Sequence, residues 1–164
     1  MEKNPLIVIR TIQNSDNDVL AKIIRTTLAE FGANHPGTVY FDTVTDALFE
    51  LFRKERSSYF VAEKNGIVVG GGGIYPTYGL PPDTCELVKM YLLPEARGLG
   101  LGRSIIEQCL NRAAEFGFGK VYIESMPELK LALRIYEKFG FKYLPAPIGS
   151  SGHYGCELWM VKEL

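Results

Sequence analysis

A chain of 164 residues, of which 46% are hydrophobic and 23% charged, can bury a sizeable core, and we expect residues 1–164 to form a single domain. The net charge of −1 excludes a global field that would attract nucleic acid or an anionic membrane, so neither partner is expected. No apolar run is long enough to span a bilayer, and three cysteines without metal-ligand spacing favour a reducing cytoplasm and no metal site.

The first part of the chain predicts a strand followed by two helices. Residues 6–11 are apolar and β-branched, as in a strand. Apolar residues at helical spacing then run from Val19 to Phe31, and Gly32 ends the pattern. Residues 43–46 are typical of a second helix start. The side of this helix that we expect to be buried comprises Val44, Ala47, Leu48, Leu51 and Phe52.

A hairpin is predicted in the middle of the chain. Asn65-Gly66 is a favoured two-residue turn, here between strands at 58–63 and 67–75. Gly70 to Gly73 stand inside the second strand, where glycines mark a bulge or the close approach of another backbone or ligand. A turn-rich connection then leads to a strand at 85–92.

A glycine-rich turn, Arg97-Gly98-Leu99-Gly100-Leu101-Gly102, joins that strand to a helix expected over residues 100–116. Such a turn presents free N–H groups at the positive end of a helix dipole, which is a site for phosphate. Arg97 and Arg103 flank the turn and could add charge-assisted hydrogen bonds to a diphosphate. The glycine spacing fits neither a P-loop nor the dinucleotide fingerprint. A glycine-rich connection without a ligand is the alternative.

The last part of the chain predicts a short strand, a helix and two closing strands. The short strand covers residues 120–124, and Ser125 to Glu128 match a capping box for the next helix. Tyr136 lies on the apolar face of that helix, which Gly140 ends. The closing strands are expected at 141–144 and 156–161, joined by a polar loop over 145–154. The element order predicts a mixed sheet with helices on both faces, in which strands 85–92 and 120–124 are parallel neighbours.

Three segments of the chain resemble motifs of the GNAT superfamily of N-acetyltransferases. The first runs from Glu86 through Met90 and Pro94 to Gly102, and the second is Ile135-Tyr136-Glu137-Lys138-Phe139-Gly140-Phe141. The third, from His153 to Leu164, resembles a bacterial subgroup that acts on small molecules. The resemblance implies a mixed, mostly antiparallel α/β sheet with a splayed parallel strand pair and acetyl-CoA as co-substrate.

The resemblance also implies which residues hold the cofactor. The pantetheine arm is expected to pair with the strand edge at Met90-Tyr91-Leu92, where a backbone N–H, that of Leu92, polarises the thioester carbonyl. The glycine turn is expected to bind the diphosphate. The full expected set is Met90, Tyr91, Leu92, Arg97, Gly98, Leu99, Gly100, Leu101, Gly102 and Arg103.

Two residues are the candidates for proton transfer. Tyr136 is expected to act as the general acid that protonates the departing thiolate, with a half-buried core tyrosine as the alternative. Glu86 is the candidate general base, with an ion pair to Lys89 or Lys142 as an equally weighted alternative. His153 either faces the acceptor or ties the 145–154 loop to the last strand.

The function expected from the resemblance is transfer of an acetyl group from acetyl-CoA to a primary amine of a small molecule, by direct attack in a ternary complex. An acetyltransferase for peptide or protein amino termini is one alternative, and a non-catalytic acyl-CoA-binding module is another. Family members commonly form homodimers, although no residue pattern here specifies one.

Overall fold

The computed structural model describes residues 3–164, which contain one seven-stranded sheet. The strands lie in the spatial order β1-β2-β3-β4-β5-β7-β6, and only β4 and β5 are parallel neighbours. The predicted mixed, mostly antiparallel sheet is therefore confirmed. The strands are β1 Ile7–Thr11, β2 Ser58–Lys64, β3 Ile67–Tyr75, β4 Thr84–Leu92, β5 Lys120–Ser125, β6 Lys142–Leu144 and β7 Leu158–Glu163.

Helices cover both faces of the sheet, as expected. The helices are α1 Asn17–Glu30, α2 Leu48–Leu51, α3 Leu101–Glu115 and α4 Lys130–Lys138. Leu20 and Leu28 of α1 belong to one buried cluster, and Ile105 of α3 and Leu133 of α4 belong to the other. Because strand side chains alternate between faces, the sheet supplies apolar residues to both clusters.

The parallel strands β4 and β5 separate partway along their length. Their pairing covers only Thr84 with Lys120, Cys85 with Val121 and Glu86 with Tyr122. Beyond Glu86, β4 continues to Leu92 without a partner in β5. The gap between the two strands is the splay that the family resemblance implied.

A β-bulge at Lys89 interrupts the alternation of β4. Gly71 pairs with Tyr91 but Gly73 pairs with Val88, so two residues of β4 stand opposite Gly72 alone. Lys89 adopts φ 53°, and Tyr59 Oη donates to its carbonyl oxygen at 2.8 Å. A Cβ built on Gly72 would lie 2.6 Å from Met90 Sδ. The glycine run therefore allows both the bulge and a close approach of neighbouring groups.

Two local predictions are wrong. The second helix is only the single turn α2, preceded by a 3-10 turn at Thr43–Asp46, and Val44 is 37% exposed rather than buried. Asp42 caps the 3-10 turn by accepting a hydrogen bond from Val44 N–H, and Ala47 at φ −135° interrupts the helix before α2.

The capping box predicted at Ser125 to Glu128 does not form, because Ser125 is the last residue of β5. α4 begins after Leu129 without a side-chain cap.

Within residues 3–164, no helix has both the length and the apolar character needed to cross a membrane.

Candidate active site

A cavity of about 420 Å³ lies between the splayed strands. Residues 86–92 of β4 line one side and residues 123–126 line the other. The glycine turn, α4, His153 and Cys156 also line it, together with residues of α1 and Val39. The cavity therefore brings Glu86, Tyr136 and most of the expected cofactor-binding residues to one place.

The glycine turn has the conformation that its sequence requires. Gly98 and Gly100 adopt φ 76° and 74°, a left-handed backbone that favours glycine, and a Cβ at either would have no heavy atom within 4 Å. Gly100 is the N-cap of α3, so the first N–H groups of that helix face outward without intrahelical partners. This open, amide-rich surface fits a diphosphate.

The two arginines beside this turn have different surroundings. Arg97 forms a bidentate ion pair with Glu30, at 2.8 and 2.7 Å, and also donates to Leu92 O at 3.0 Å. Arg103 is mostly exposed, and within residues 3–164 its one ion pair is with Glu107, one turn along α3. Arg97 therefore anchors the turn to α1 and β4 in this structure, whereas Arg103 is free to meet an anion.

The free edge of β4 orients the Leu92 N–H toward the gap. The next residue, Leu93, donates its N–H to Val69 O on β3 at 2.9 Å. Successive N–H groups of an extended strand point to opposite sides, so the Leu92 N–H points away from β3. An extended ligand in the gap would meet this donor.

Tyr136 is buried in the apolar cluster and also lines the cavity. Its ring packs edge-on against Phe141, with the centroids 5.9 Å apart. Burial raises the pKa of its phenol above the ordinary value of 10.0, so the hydroxyl keeps its proton at neutral pH. The position is compatible with both the general-acid prediction and the packing role.

Glu86 is 3% exposed and accepts a hydrogen bond from Thr77 Oγ1 at 2.7 Å. Burial and the nearby charge of Glu124 raise the pKa of its carboxyl to about 7, against smaller opposing effects of Thr77, His153 and Lys89. A carboxyl with this pKa can both take and release a proton near neutrality. The bulge moves Met90 to the α3 side of the sheet, whereas Val88, two residues after Glu86, packs on the α1 side.

Lys89 forms its ion pair with Asp42 rather than with Glu86. Its Nζ lies 3.5 Å from Asp42 Oδ2, and the lysine side chain is 4% exposed. Burial lowers the Lys89 pKa, while the Asp42 and Glu86 charges oppose that shift. Lys142 lies in β6, which pairs only with β7 in the described sheet. Glu86 therefore bonds to the hydroxyl of Thr77, and the alternative prediction of an ion pair with Lys89 or Lys142 is wrong.

His153 lies between two carboxylates in the cavity wall. Its Nε2 is 3.1 Å from Asp42 Oδ2 and its Nδ1 is 3.8 Å from Glu124 Oε1. Burial raises the Asp42 pKa, but the His153 hydrogen bond, the Lys89 charge and the Val44 N–H outweigh it and lower the pKa to about 2. His153 therefore both faces the cavity and ties its loop to neighbouring elements.

The comparisons with known proteins agree with this geometry. A model of the acetyltransferase (GNAT) family matches residues 21–141. The chain belongs to the GNAT acetyltransferase family. The acetyltransferase is 39% identical to the uncharacterized N-acetyltransferase YjgM of Escherichia coli K12 over 158 residues, covering 96% of this chain and 95% of YjgM.

Two solved structures share the fold of this acetyltransferase. A GNAT-family acetyltransferase from Staphylococcus aureus Mu50 has a TM-score of 0.85 at 16% identity, covering 96% of this chain and 99% of that one. The PaiA N-acetyltransferase of Thermoplasma acidophilum, solved in complex with coenzyme A, has a TM-score of 0.75 at 17% identity, covering 97% of this chain and 99% of that one. Identities this low establish the fold alone.

The acetyltransferase site contains two acidic residues that sequence reasoning missed. Glu124 accepts hydrogen bonds from Tyr122 Oη, at 2.8 Å, and from Ser151 Oγ. A signal for Glu124 was present, since it follows Tyr122 by two residues on a strand predicted to neighbour Glu86. Asp42 gave no such signal, because its contacts with Lys89 and His153 join positions distant in sequence.

The raised pKa of Glu86 predicts a pH-dependent effect of Glu86→Gln on the stability of this acetyltransferase. The folded state keeps the Glu86 proton to about pH 7, whereas the unfolded chain releases it near 4.5, so wild-type stability falls as pH rises through that window. Glutamine cannot ionise. Relative to wild type, the variant should therefore gain up to about 3 kcal/mol between pH 4.5 and 7.5.

Thermal or urea unfolding at pH 5 and pH 8 measures this effect. Glu128→Gln, an exposed residue in the turn after β5, is the control and should track wild type at both pH values. A difference between Glu86→Gln and wild type that does not change with pH would contradict the raised pKa.

Proposed function

We propose that this acetyltransferase moves the acetyl group of acetyl-CoA to the primary amine of a small molecule, by direct attack in a ternary complex, within one domain spanning residues 1–164. The observation that carries the proposal is the single cavity that joins Glu86, Tyr136, the free β4 edge and the glycine turn. This cavity has room for an extended donor along β4 and an acceptor beside Glu86.

The residues of this chain suit acetyl-CoA, which would supply the acetyl group as a thioester. The outward N–H groups at the start of α3 and the exposed Arg103 suit the diphosphate. The free edge of β4 suits a pantetheine arm, and Leu92 N–H is oriented to donate to the thioester carbonyl. Met90 and Tyr91 form the remainder of that edge.

Proton transfer is assigned to two buried groups. Glu86, with a pKa of about 7, takes a proton from the acceptor ammonium and leaves a neutral amine able to attack. Tyr136, whose raised pKa keeps its proton in place, donates it to the departing sulfur. Both groups are buried and line the same cavity, so both proton transfers would take place beside the bound substrates.

Direct attack is supported by the state of Cys156, the cysteine that lines the cavity. A covalent acetyl-enzyme would need an activated nucleophile such as a thiolate. Burial raises the pKa of the Cys156 thiol to about 12, so the thiol stays protonated and unreactive at neutral pH.

A small acceptor is supported by how the loops close the acceptor side. Gly155 N–H donates to Gly37 O at 2.8 Å, and Ser150 N–H donates to Tyr78 O at 2.8 Å. The segment 145–155 is thus tied to two loops that precede it in sequence, one containing Gly37 and one containing Tyr78. Loops fixed to one another in this way leave less room for an extended polypeptide than an open groove would.

An acceptor panel tests the proposal. The protein is incubated with acetyl-CoA and, separately, with small primary amines, peptides with free amino termini, and buffer alone, while thiol release and acetylated product are followed. Small amines should give stoichiometric product. Turnover with peptides alone would establish the amino-terminal alternative, and acetyl-CoA binding without turnover would establish the binding module.

Glu86→Gln should change the pH–rate profile rather than lower activity uniformly. Without the carboxylate, kcat/KM for the amine should fall most just above pH 7, where wild-type Glu86 is ionised and the amine is still an ammonium, and recover as pH rises further and more amine is already neutral. Steady-state rates between pH 6 and 10 measure this. An equal defect at every pH would show that Glu86 positions the acceptor and that another group is the base.

A further inference from the structure

Three hydrogen-bond acceptors converge on one point of the cavity. Side-chain atoms of Glu86, Glu124 and His153 all lie within 4.8 Å of one another, and they form the one such group of acidic, histidine or cysteine side chains within residues 3–164. Glu86 and Glu124 contribute carboxylate oxygens, and His153 directs Nδ1 toward Glu124 at 3.8 Å.

The Asp42 contact selects the tautomer of His153. Asp42 is ionised at neutral pH and can only accept, so the Nε2 at 3.1 Å must carry a proton. With that proton on Nε2, Nδ1 is the ring nitrogen that is left to face the two glutamates. An aspartate that holds the far nitrogen of a histidine in this way fixes which nitrogen is available to a ligand.

Glu124 supplies an independent indication that a cation belongs at this point. Its side chain is 6% exposed, and its two oxygens accept from the neutral hydroxyls of Tyr122 and Ser151. The nearby lysine, Lys89, is paired with Asp42 instead. His153 Nδ1, which could carry a positive charge, lies 3.8 Å away, beyond hydrogen-bond distance. Because burying a carboxylate without a closely paired cation is costly, Glu124 is complementary to a positively charged ligand.

We propose that Glu86, Glu124 and Nδ1 of His153, whose ring proton Asp42 holds on Nε2, form a three-acceptor cradle for the –NH₃⁺ group of the acceptor, with Asp42 as the residue that positions His153. The inference rests on the proposed function and specifies its substrate class as primary amines that bind in the ammonium form. A primary ammonium has three N–H donors for three acceptors, whereas a secondary ammonium places a carbon against one of them.

The cradle also accounts for the direction of the proton transfer. One ammonium proton moves to a Glu86 oxygen, which leaves a neutral carboxylic acid and a neutral amine. The amine then has one donor fewer and no charge to hold it against Glu124. It is therefore released toward the acetyl carbon as its lone pair forms.

The test uses the most active primary amine of the panel and its N-methyl derivative, with wild type, Glu124→Gln and the control Glu128→Gln. Wild type should prefer the primary amine by roughly 10-fold or more in kcat/KM. Glu124→Gln should raise KM for that amine roughly 10- to 100-fold and leave acetyl-CoA binding unchanged. Glu128→Gln should match wild type.

Asp42→Asn tests the positioning role through the pH dependence of the amine KM, which a change in packing alone would not alter. An asparagine NH₂ can donate to Nε2, which lets Nδ1 carry the proton and turns a donor toward Glu86 and Glu124. The pH dependence of KM for the amine should therefore shift. Lys89, which is the other charged partner of Asp42, loses its ion pair in the same variant. His153→Ala should raise the amine KM without weakening acetyl-CoA binding.

The outcomes separate this inference from the function on which it rests. Wild type that acetylates no amine overturns the proposed function and the cradle with it. If wild type acetylates the primary and the N-methyl amine equally well, the cradle alone is overturned, and this comparison requires no variant protein. A folded Glu124→Gln variant with an unchanged KM for the amine also overturns the cradle alone.

Discussion

Tyr136→Phe is expected to lower kcat by roughly 10²-fold or more while acetyl-CoA still binds. The change keeps the ring, its burial and its edge-on contact with Phe141, and removes only the hydroxyl. Because burial raises the Tyr136 pKa, the wild-type phenol is protonated across the working pH range. The defect should therefore persist at every pH, unlike that of Glu86→Gln.

Single-turnover rates with the active amine measure this loss directly, because product release does not obscure the chemical step. Tyr143→Phe is the matched control, since Tyr143 is 47% exposed and its hydroxyl donates to Glu137 Oε1 near the surface. If the chemical step of Tyr136→Phe is as fast as that of wild type, Tyr136 is a core residue and the thiolate takes its proton from solvent.

Gly100→Asp and Gly102→Asp are expected to abolish the stabilisation of the protein by acetyl-CoA. A ligand at 100 times its Kd stabilises the native state by about 2.7 kcal/mol, which for a chain of this size raises Tm by roughly 5 to 10 °C. Aspartate at either position places negative charge where the diphosphate is proposed to bind. At Gly100 the backbone φ of 74° adds strain.

The two variants separate charge from strain. A Cβ at Gly102 would lie 3.5 Å from its nearest neighbours, an ordinary contact, and its backbone does not need glycine, so Gly102→Asp reports on charge without backbone strain. Gly117→Asp is the control, because Gly117 at the other end of α3 also has a positive φ and open space. Normal acetyl-CoA stabilisation in both Gly100→Asp and Gly102→Asp would show that the turn does not bind the diphosphate.

Local sequence patterns were sufficient to predict most of the secondary structure and the glycine turn. The hairpin at Asn65-Gly66, the strand Thr84–Leu92 and the helix Leu101–Glu115 depend on turn chemistry and periodicity, which act over a few residues. The left-handed Gly98 and Gly100 likewise follow from a conformation that only glycine adopts easily. These features are properties of short segments.

Prediction from short segments failed where a residue's role depends on a distant partner. Ser125 satisfied a capping pattern, yet pairing with Leu158 of β7 kept it in a strand. The segment after Asp42 had helical periodicity, yet Asp42 is engaged by Lys89 and His153, far away in sequence. In both places, tertiary pairing overrode local propensity.

From the sequence alone came the mixed sheet, the glycine turn proposed to bind phosphate and the two candidates Glu86 and Tyr136, because element order, short motifs and the resemblance to the GNAT superfamily indicate them. The tertiary structure alone decided the bulge at Lys89, the burial that raises the Glu86 pKa to about 7, and the convergence of Glu124 and His153 upon Glu86. Burial and charge proximity are sums over groups from separate parts of the chain. No single stretch of sequence carries them, and they exist only once β4 and β5 have paired and then separated.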